Sequence, residues 1–143
     1  MSLHGLYDPE NVFAKILRGE MLAAVIAEED HAIAIMDAFP QTRGHCLVIP
    51  KAPSRNLLEV APKDLGRVFG LVQRVAKAVD AALKPDGIVT LNYNGAPAGQ
   101  TVFHTHIHVI PRYEGEAMAG HGSAKMGNMT EPSTLAELIR AVL

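Results

Sequence analysis

A chain of 143 residues that is 48% apolar and 20% charged has the composition of one folded domain rather than a disordered segment. Its formal charge of −2 argues against a binder that grips a nucleic-acid backbone with clustered Lys and Arg, and its apolar runs are too short to span a bilayer. The single cysteine, Cys46, excludes an intramolecular disulfide and suits a reducing compartment. No basic stretch followed by an apolar run opens the chain, so the expected location is the cytoplasm.

The first predicted element is a helix in "DPENVFAKILRG", with Asp8 as N-cap, Pro9 in the first turn and Gly19 after the end. Its apolar face is Val12, Phe13, Ile16 and Leu17. Three apolar segments follow, "LAAVIA", "AIAIM" and "HCLVIP", separated by gaps too short for parallel crossovers, so they read as antiparallel strands. From Pro62 to Leu83 the period becomes helical, with Leu65, Val68, Phe69, Val72, Val75, Val79 and Leu83 on one side and Pro85 as the stop. "GIVTLNY" reads as a strand, "NGAPAGQ" as a loop and "FHTHIHVIP" as a fifth strand. Residues 114–130 read as a long loop, and "PSTLAELIRAVL" as a final helix in which Thr134 and Glu137 form a capping box. Strands and helices mix without βαβ alternation. The expected fold is a single α+β domain over 1–143: an antiparallel five-stranded sheet with packed helices.

"FHTHIHVIPR" holds three of the seven histidines, His104, His106 and His108, at every second position. In a strand they would share one face, about 6.6–6.8 Å apart, with Ile107 and Val109 turned to the core. Such a row suits a metal site, a catalytic face or a polar sheet edge. A single ion could take two of the imidazoles but would reach a third in line poorly, and no HExxH or CxxC is present. The loop "NGAPAGQTV" carries two glycines directly up to the row. Glycine lets a backbone turn its N–H groups toward a ligand, and nests of N–H groups favour anions, phosphate above all.

"HTHIHVI", preceded by "AGQTV", "GHCLVIPK" at 44–51 and "EEDHAIAIMD" at 28–37, resembles the histidine triad family, with the segments in the family's order. The resemblance covers residues 10 to 113. It implies a nucleotidyl hydrolase or transferase acting at an α-phosphate, with His106 as nucleophile and His108 contacting the phosphate or protonating the leaving group. His104 and His45 would orient the row. Gly99, Gln100, Thr101 and Val102 would line the phosphate, Asp37 would meet the ribose hydroxyls, and Ile35 and Ala38 would contact base and sugar. The implied substrate is an adenosine or other purine nucleotide, cleaved from a phosphoramidate or a dinucleoside polyphosphate. The implied assembly is a homodimer in which two sheets become one. No cofactor is expected. The rival readings are a metal-binding protein that uses the histidines as ligands and a non-catalytic nucleotide-binding module.

Two features depart from the family pattern. Many bacterial members hold a structural zinc with two cysteines, a histidine after the "PK" and the first triad histidine. The matching positions here are Asn11, Ala14 and Pro53, so no zinc is carried over. Relatives often place an amide side chain where this chain has Tyr93, and Asn92 and Asn94 stand beside it as substitutes for that phosphate contact.

Overall fold

A computed structural model describes residues 3–117 and 130–143. Most of the expected loop at 114–130 lies outside the described residues. Five strands, β1 (Val25–Glu28), β2 (Ala32–Met36), β3 (Cys46–Pro50), β4 (Gly87–Leu91) and β5 (Ile107–Arg112), form one sheet in the order β1-β2-β3-β5-β4. Every neighbouring pair is antiparallel. The expected α+β sheet is therefore present. Its last strand to be added, β5, lies between β3 and the outer strand β4.

Alternation along the strands divides the sheet into two faces. Ala32, Ala34 and Met36 of β2, Cys46 and Val48 of β3, and Ile107 and Val109 of β5 point to one side. There they meet α2 (Pro62–Leu83) and α3 (Thr130–Arg140), which contribute Val68, Leu71, Val75, Val79, Leu135 and Ile139. Ile33, Ile35, Leu47 and Ile49 point to the other side, where Phe13 of the short helix α1 (Val12–Leu17) covers them. His108 pairs with Leu47 across the ladder and so belongs to this second face. Among the described residues, no helix is long and apolar enough to cross a membrane.

Several predicted boundaries move, each for a local reason. Asp8 does not cap α1; its carboxylate accepts the N–H of Glu10 in a turn, and Asn11 caps the helix by accepting the N–H of Ala14 at 2.9 Å. Phe69 faces solvent and Leu71 fills the α2 core position instead. The final helix starts at Thr130, so Thr134 lies inside it and forms no capping box there. The fifth strand begins at Ile107, four residues later than its sequence suggests.

Candidate active site

The ladder between β3 and β5 ends at Val48 opposite Ile107, and side chains hold the chain just before it. Thr105 donates its N–H to the carbonyl of Ser54 at 2.9 Å and accepts the Ser54 hydroxyl at 2.7 Å. The His104 ring reaches the carbonyl of Pro50 at 2.7 Å. These bonds replace the ladder, so of the three histidines only His108 stands in a strand. The even row becomes a compact cluster, with the His106 and His108 ring centroids 5.0 Å apart.

Each ring has a defined proton. A carbonyl can only accept, so Nε2 of His104 donates to Pro50, and its Nδ1 is bare and accepts the Tyr7 hydroxyl at 2.6 Å. Burial lowers the pKa of His104 further, which keeps this fully enclosed ring neutral. Nδ1 of His106 donates to the backbone carbonyl of His104 at 2.7 Å, which leaves a lone pair on its Nε2. Nδ1 of His45 accepts the N–H of Gln41 at 3.0 Å, so its proton sits on Nε2 and points to Nδ1 of His108, 2.8 Å away. His108, accepting there, carries its own proton on Nε2 when neutral. Two adjacent imidazoles thus present opposite polarity at Nε2: His106 a lone pair, His108 a donor.

The remaining expected residues fall into separate roles. The Gln100 side chain is buried and fully engaged, donating to Arg55 and Val102 carbonyls at 2.7 and 2.9 Å and accepting the N–H of Gly95 at 2.8 Å. It braces the loop from within. The N–H groups of Ala98, Gly99 and Gln100 also bond inside the loop, so the turn around Gly99 is closed rather than an open nest. Gly99 has φ of 115°, and a Cβ there would lie 2.9 Å from the Tyr93 ring, whose edge faces His108. Thr101 is exposed, and Val102 packs on the apolar cluster around Phe13. Asn92 donates to the carbonyl of His106 at 3.0 Å, while Asn94 donates to Asn92 and accepts the N–H of Leu57. Both amides brace backbone. Ala38 and Asp37 line a cavity of about 400 Å³ with Arg43 and Leu135, and none of the three triad histidines lines it.

Asp37 Oδ2 lies 3.3 Å from His45 Nε2, and its Oδ1 accepts the N–H of Phe39 at 2.8 Å. Burial raises its pKa to about 6, against which the Phe39 bond acts. The folded state therefore holds this proton more tightly than the unfolded chain. Its contribution to stability is complete below the unfolded pKa and is lost as pH rises through about 6. Asp37→Asn is expected to stabilise the fold by about 3 kcal/mol at pH 8 and to leave it unchanged below the unfolded pKa. Denaturant melts across that range check this; a constant offset between the two proteins at every pH would contradict it.

Two groups of residues invite comparison with a metal site. Ligand atoms of Asp37, His45 and His108 all lie within 4.8 Å of one another, a span that one ion could use. The Gln41 N–H, however, occupies the His45 Nδ1 lone pair, so Nε2 carries the proton and is not a ligand without breaking that bond. The group is better described as a hydrogen-bond relay from Asp37 through His45 to His108. The zinc set of bacterial triad proteins does not fit either. The Asn11 oxygen caps α1, Ala14 and Pro53 offer no side-chain donor, and both His104 nitrogens are engaged.

Sequence reasoning missed Tyr7, Phe13 as a site residue, and Ser54. Phe13 sets its ring edge-on to His106 at 4.7 Å between centroids. Its place on an amphipathic face was visible, but not which face of the sheet it would cover. A lone tyrosine and a lone serine carry no periodic signal.

Comparison with known proteins places this arrangement. The family model described as HIT domain matches residues 18–115. The Hit-like protein of Bartonella henselae involved in cell-cycle regulation, solved with an unknown ligand, superposes with a TM-score of 0.89 at 42% identity, covering 96% of this chain and 100% of that one. The protein named hit in Bacillus subtilis (strain 168) is 41% identical over 102 residues, 71% of this chain and 70% of that protein. The adenylylsulfatase HINT3 of Arabidopsis thaliana is 34% identical over 131 residues, 92% of this chain and 66% of that protein.

Proposed function

The chain belongs to the histidine triad (HIT) family, and from that premise we propose that it is a nucleotidyl hydrolase or transferase working through a covalent intermediate on His106. The observation that carries the proposal is the 2.7 Å bond from His106 Nδ1 to the His104 carbonyl, which leaves Nε2 with its lone pair. Nε2 attacks the α-phosphorus, a P–N bond forms, and the bond to the leaving group breaks. The leaving group accepts the Nε2–H hydrogen bond of His108 as it departs and takes its proton from solvent. Water then attacks phosphorus, gives up a proton to solvent, and the P–N bond breaks to release a nucleoside monophosphate and restore the His106 lone pair. One difficult displacement becomes two easier ones.

The surroundings support a nucleotide. The Phe13 ring, backed by the buried Ile35 and Leu47, lies against His106, an apolar side on which a base is proposed to rest. With Gly99 and Gln100 engaged in holding the loop, Thr101 and Val102 are left to meet the phosphate. Asp37 aims a carboxylate at the ribose hydroxyls, and ionises above about pH 6. Asp37→Ala should weaken AMP binding by about tenfold to a few hundredfold, on the scale of hydrogen bonds to charged groups. Deoxy-AMP should lose less. Calorimetric titration of both ligands into both proteins checks this, and equal losses would leave Asp37 as a turn residue.

The leaving group is taken to be an amine, a nucleotide or, following the name of the Arabidopsis relative, sulfate. Quenching single turnovers of adenosine phosphoramidate, dinucleoside polyphosphate and adenylyl sulfate for intact-mass analysis tests the reading. A nucleotidyl adduct on His106 is the expected result; an adduct that persists after His106 is replaced, or none with any substrate, overturns it. We extend the proposal to a cytoplasmic homodimer joined along the outer strand β4, whose burial is mostly partial. Light scattering should then give twice the chain mass, and the chain mass alone would rule the dimer out.

A further inference from the structure

We propose that Tyr7 is a positioning residue for the nucleophile: its hydroxyl fixes His104, and through the His104 carbonyl it fixes the tautomer of His106. This rests on the reading of His106 as nucleophile, but its central measurement does not need turnover.

The residues before α1 lie against the segment that carries the triad. Asn56 donates to the carbonyl of Leu3 at 2.8 Å, and the Arg55 guanidinium reaches the carbonyl of Leu6 at 3.4 Å. Arg55 also sits over the Phe103 ring, 4.3 Å from its centroid, and Ser54 holds Thr105. The N-terminal segment and residues 103–106 therefore share one support, at 54–56. Within it, Tyr7 bonds directly to a triad side chain, Oη to His104 Nδ1 at 2.6 Å. Its ring meets the His104 ring edge-on at 5.6 Å between centroids.

The bond sits where it controls His106. The His104 ring is held at both nitrogens, by Tyr7 at Nδ1 and by Pro50 at Nε2, and is wholly enclosed. A ring held at two points fixes its own χ angles and constrains the peptide that follows. That peptide's carbonyl is the acceptor for His106 Nδ1–H. Remove the hydroxyl and the buried Nδ1 lone pair loses its donor; the ring then flips or admits water, and the carbonyl moves with it. His106 is then free to place its proton on Nε2, the atom that must attack.

Tyr7→Phe keeps the ring and removes only the oxygen, so it tests the bond directly. In wild-type protein labelled with ¹⁵N at histidine, His104 Nδ1 and His106 Nε2 should show unprotonated signals and their partner nitrogens protonated ones. In Tyr7→Phe the two His106 signals should move toward each other as tautomers mix. With a nucleotide substrate, kcat should fall about tenfold or more while KM stays within about twofold, the pattern of a misplaced nucleophile. A folded variant with unchanged His106 signals and unchanged kcat overturns the proposal, as does one that merely melts at lower temperature. If no nucleotide is turned over, the His106 spectrum alone decides. If Tyr7→Phe does not fold, the wild-type spectrum decides: a slowly exchanging Tyr7 hydroxyl proton coupled to His104 Nδ1 supports the assignment, and a His104 that carries its proton on Nδ1 overturns it.

Discussion

His106→Ala is expected to lose several powers of ten in turnover while keeping its fold, with about 1.4 kcal/mol of barrier for each power. The chemistry loses its electron pair, and no neighbour replaces it. His108 has its Nδ1 engaged by His45, and both nitrogens of His104 are held. The structural loss is smaller. The ring is buried, touching Phe13 and His108, and its Nδ1 bonds to a backbone carbonyl rather than to another catalytic side chain. A stability cost of about 1–2 kcal/mol follows from the contacts removed. Single-turnover kinetics and thermal melts on the same preparation separate the two effects. Turnover within a few-fold of wild type would sink the nucleophile assignment.

His104→Ala should show the reverse balance, with a stability defect among the largest of any single change at the site. It opens a cavity in a fully buried position and strands two partners, the Pro50 carbonyl and the Tyr7 hydroxyl. Cavity and unsatisfied polar groups together cost about 3–5 kcal/mol. In a domain of this size that lowers Tm by roughly 10 °C. Activity would fall as well, because the His106 acceptor shifts. The distinguishing quantity is the denaturation midpoint, and a variant within about 1 kcal/mol of wild type would show that the bridge contributes little. Histidines spaced evenly in sequence thus divide into a brace, a proposed nucleophile and a proposed donor.

How far the sequence foretold this depends on the kind of signal. The bounds of α2 were legible because Pro62, a helical apolar period and Pro85 agree on them. β2 was legible to the residue because "AIAIM" is bounded by polar turns. The start of α1 was misplaced because Asp8 and Asn11 are both good caps, and only the three-dimensional turn shows which one serves. The predicted start of β5 was early because "FHTHI" has strand composition, yet its imidazoles bond to backbone carbonyls and end the ladder at Ile107. That conflict between local pattern and observed backbone falls at the site itself, where function outweighs regularity. The Tyr7–His104 bond spans 97 positions and leaves no local pattern at all. Gln100 and Asn92 show a further limit: an amide near a glycine-rich loop reads as a ligand contact, and only the fold shows the backbone groups it bonds.

Cys46, the only cysteine, lies in β3 between β2 and β5, beside the relay histidine His45 and with no exposed surface. Burial pushes its thiol well above the usual range. A disulfide reagent added to native protein can therefore react only when the centre of the sheet opens, and the labelling rate becomes a clock for that opening. One modification event per molecule reports on the same strands that carry His45 and His108. Because the proposed nucleotide site is built on those strands, AMP should slow the clock by a factor of one plus the ratio of AMP concentration to Kd. An AMP-independent rate would mean that the thiol is reached by a local route that leaves the site intact. The molecule thus carries its own chemical gauge of how tightly a ligand closes it.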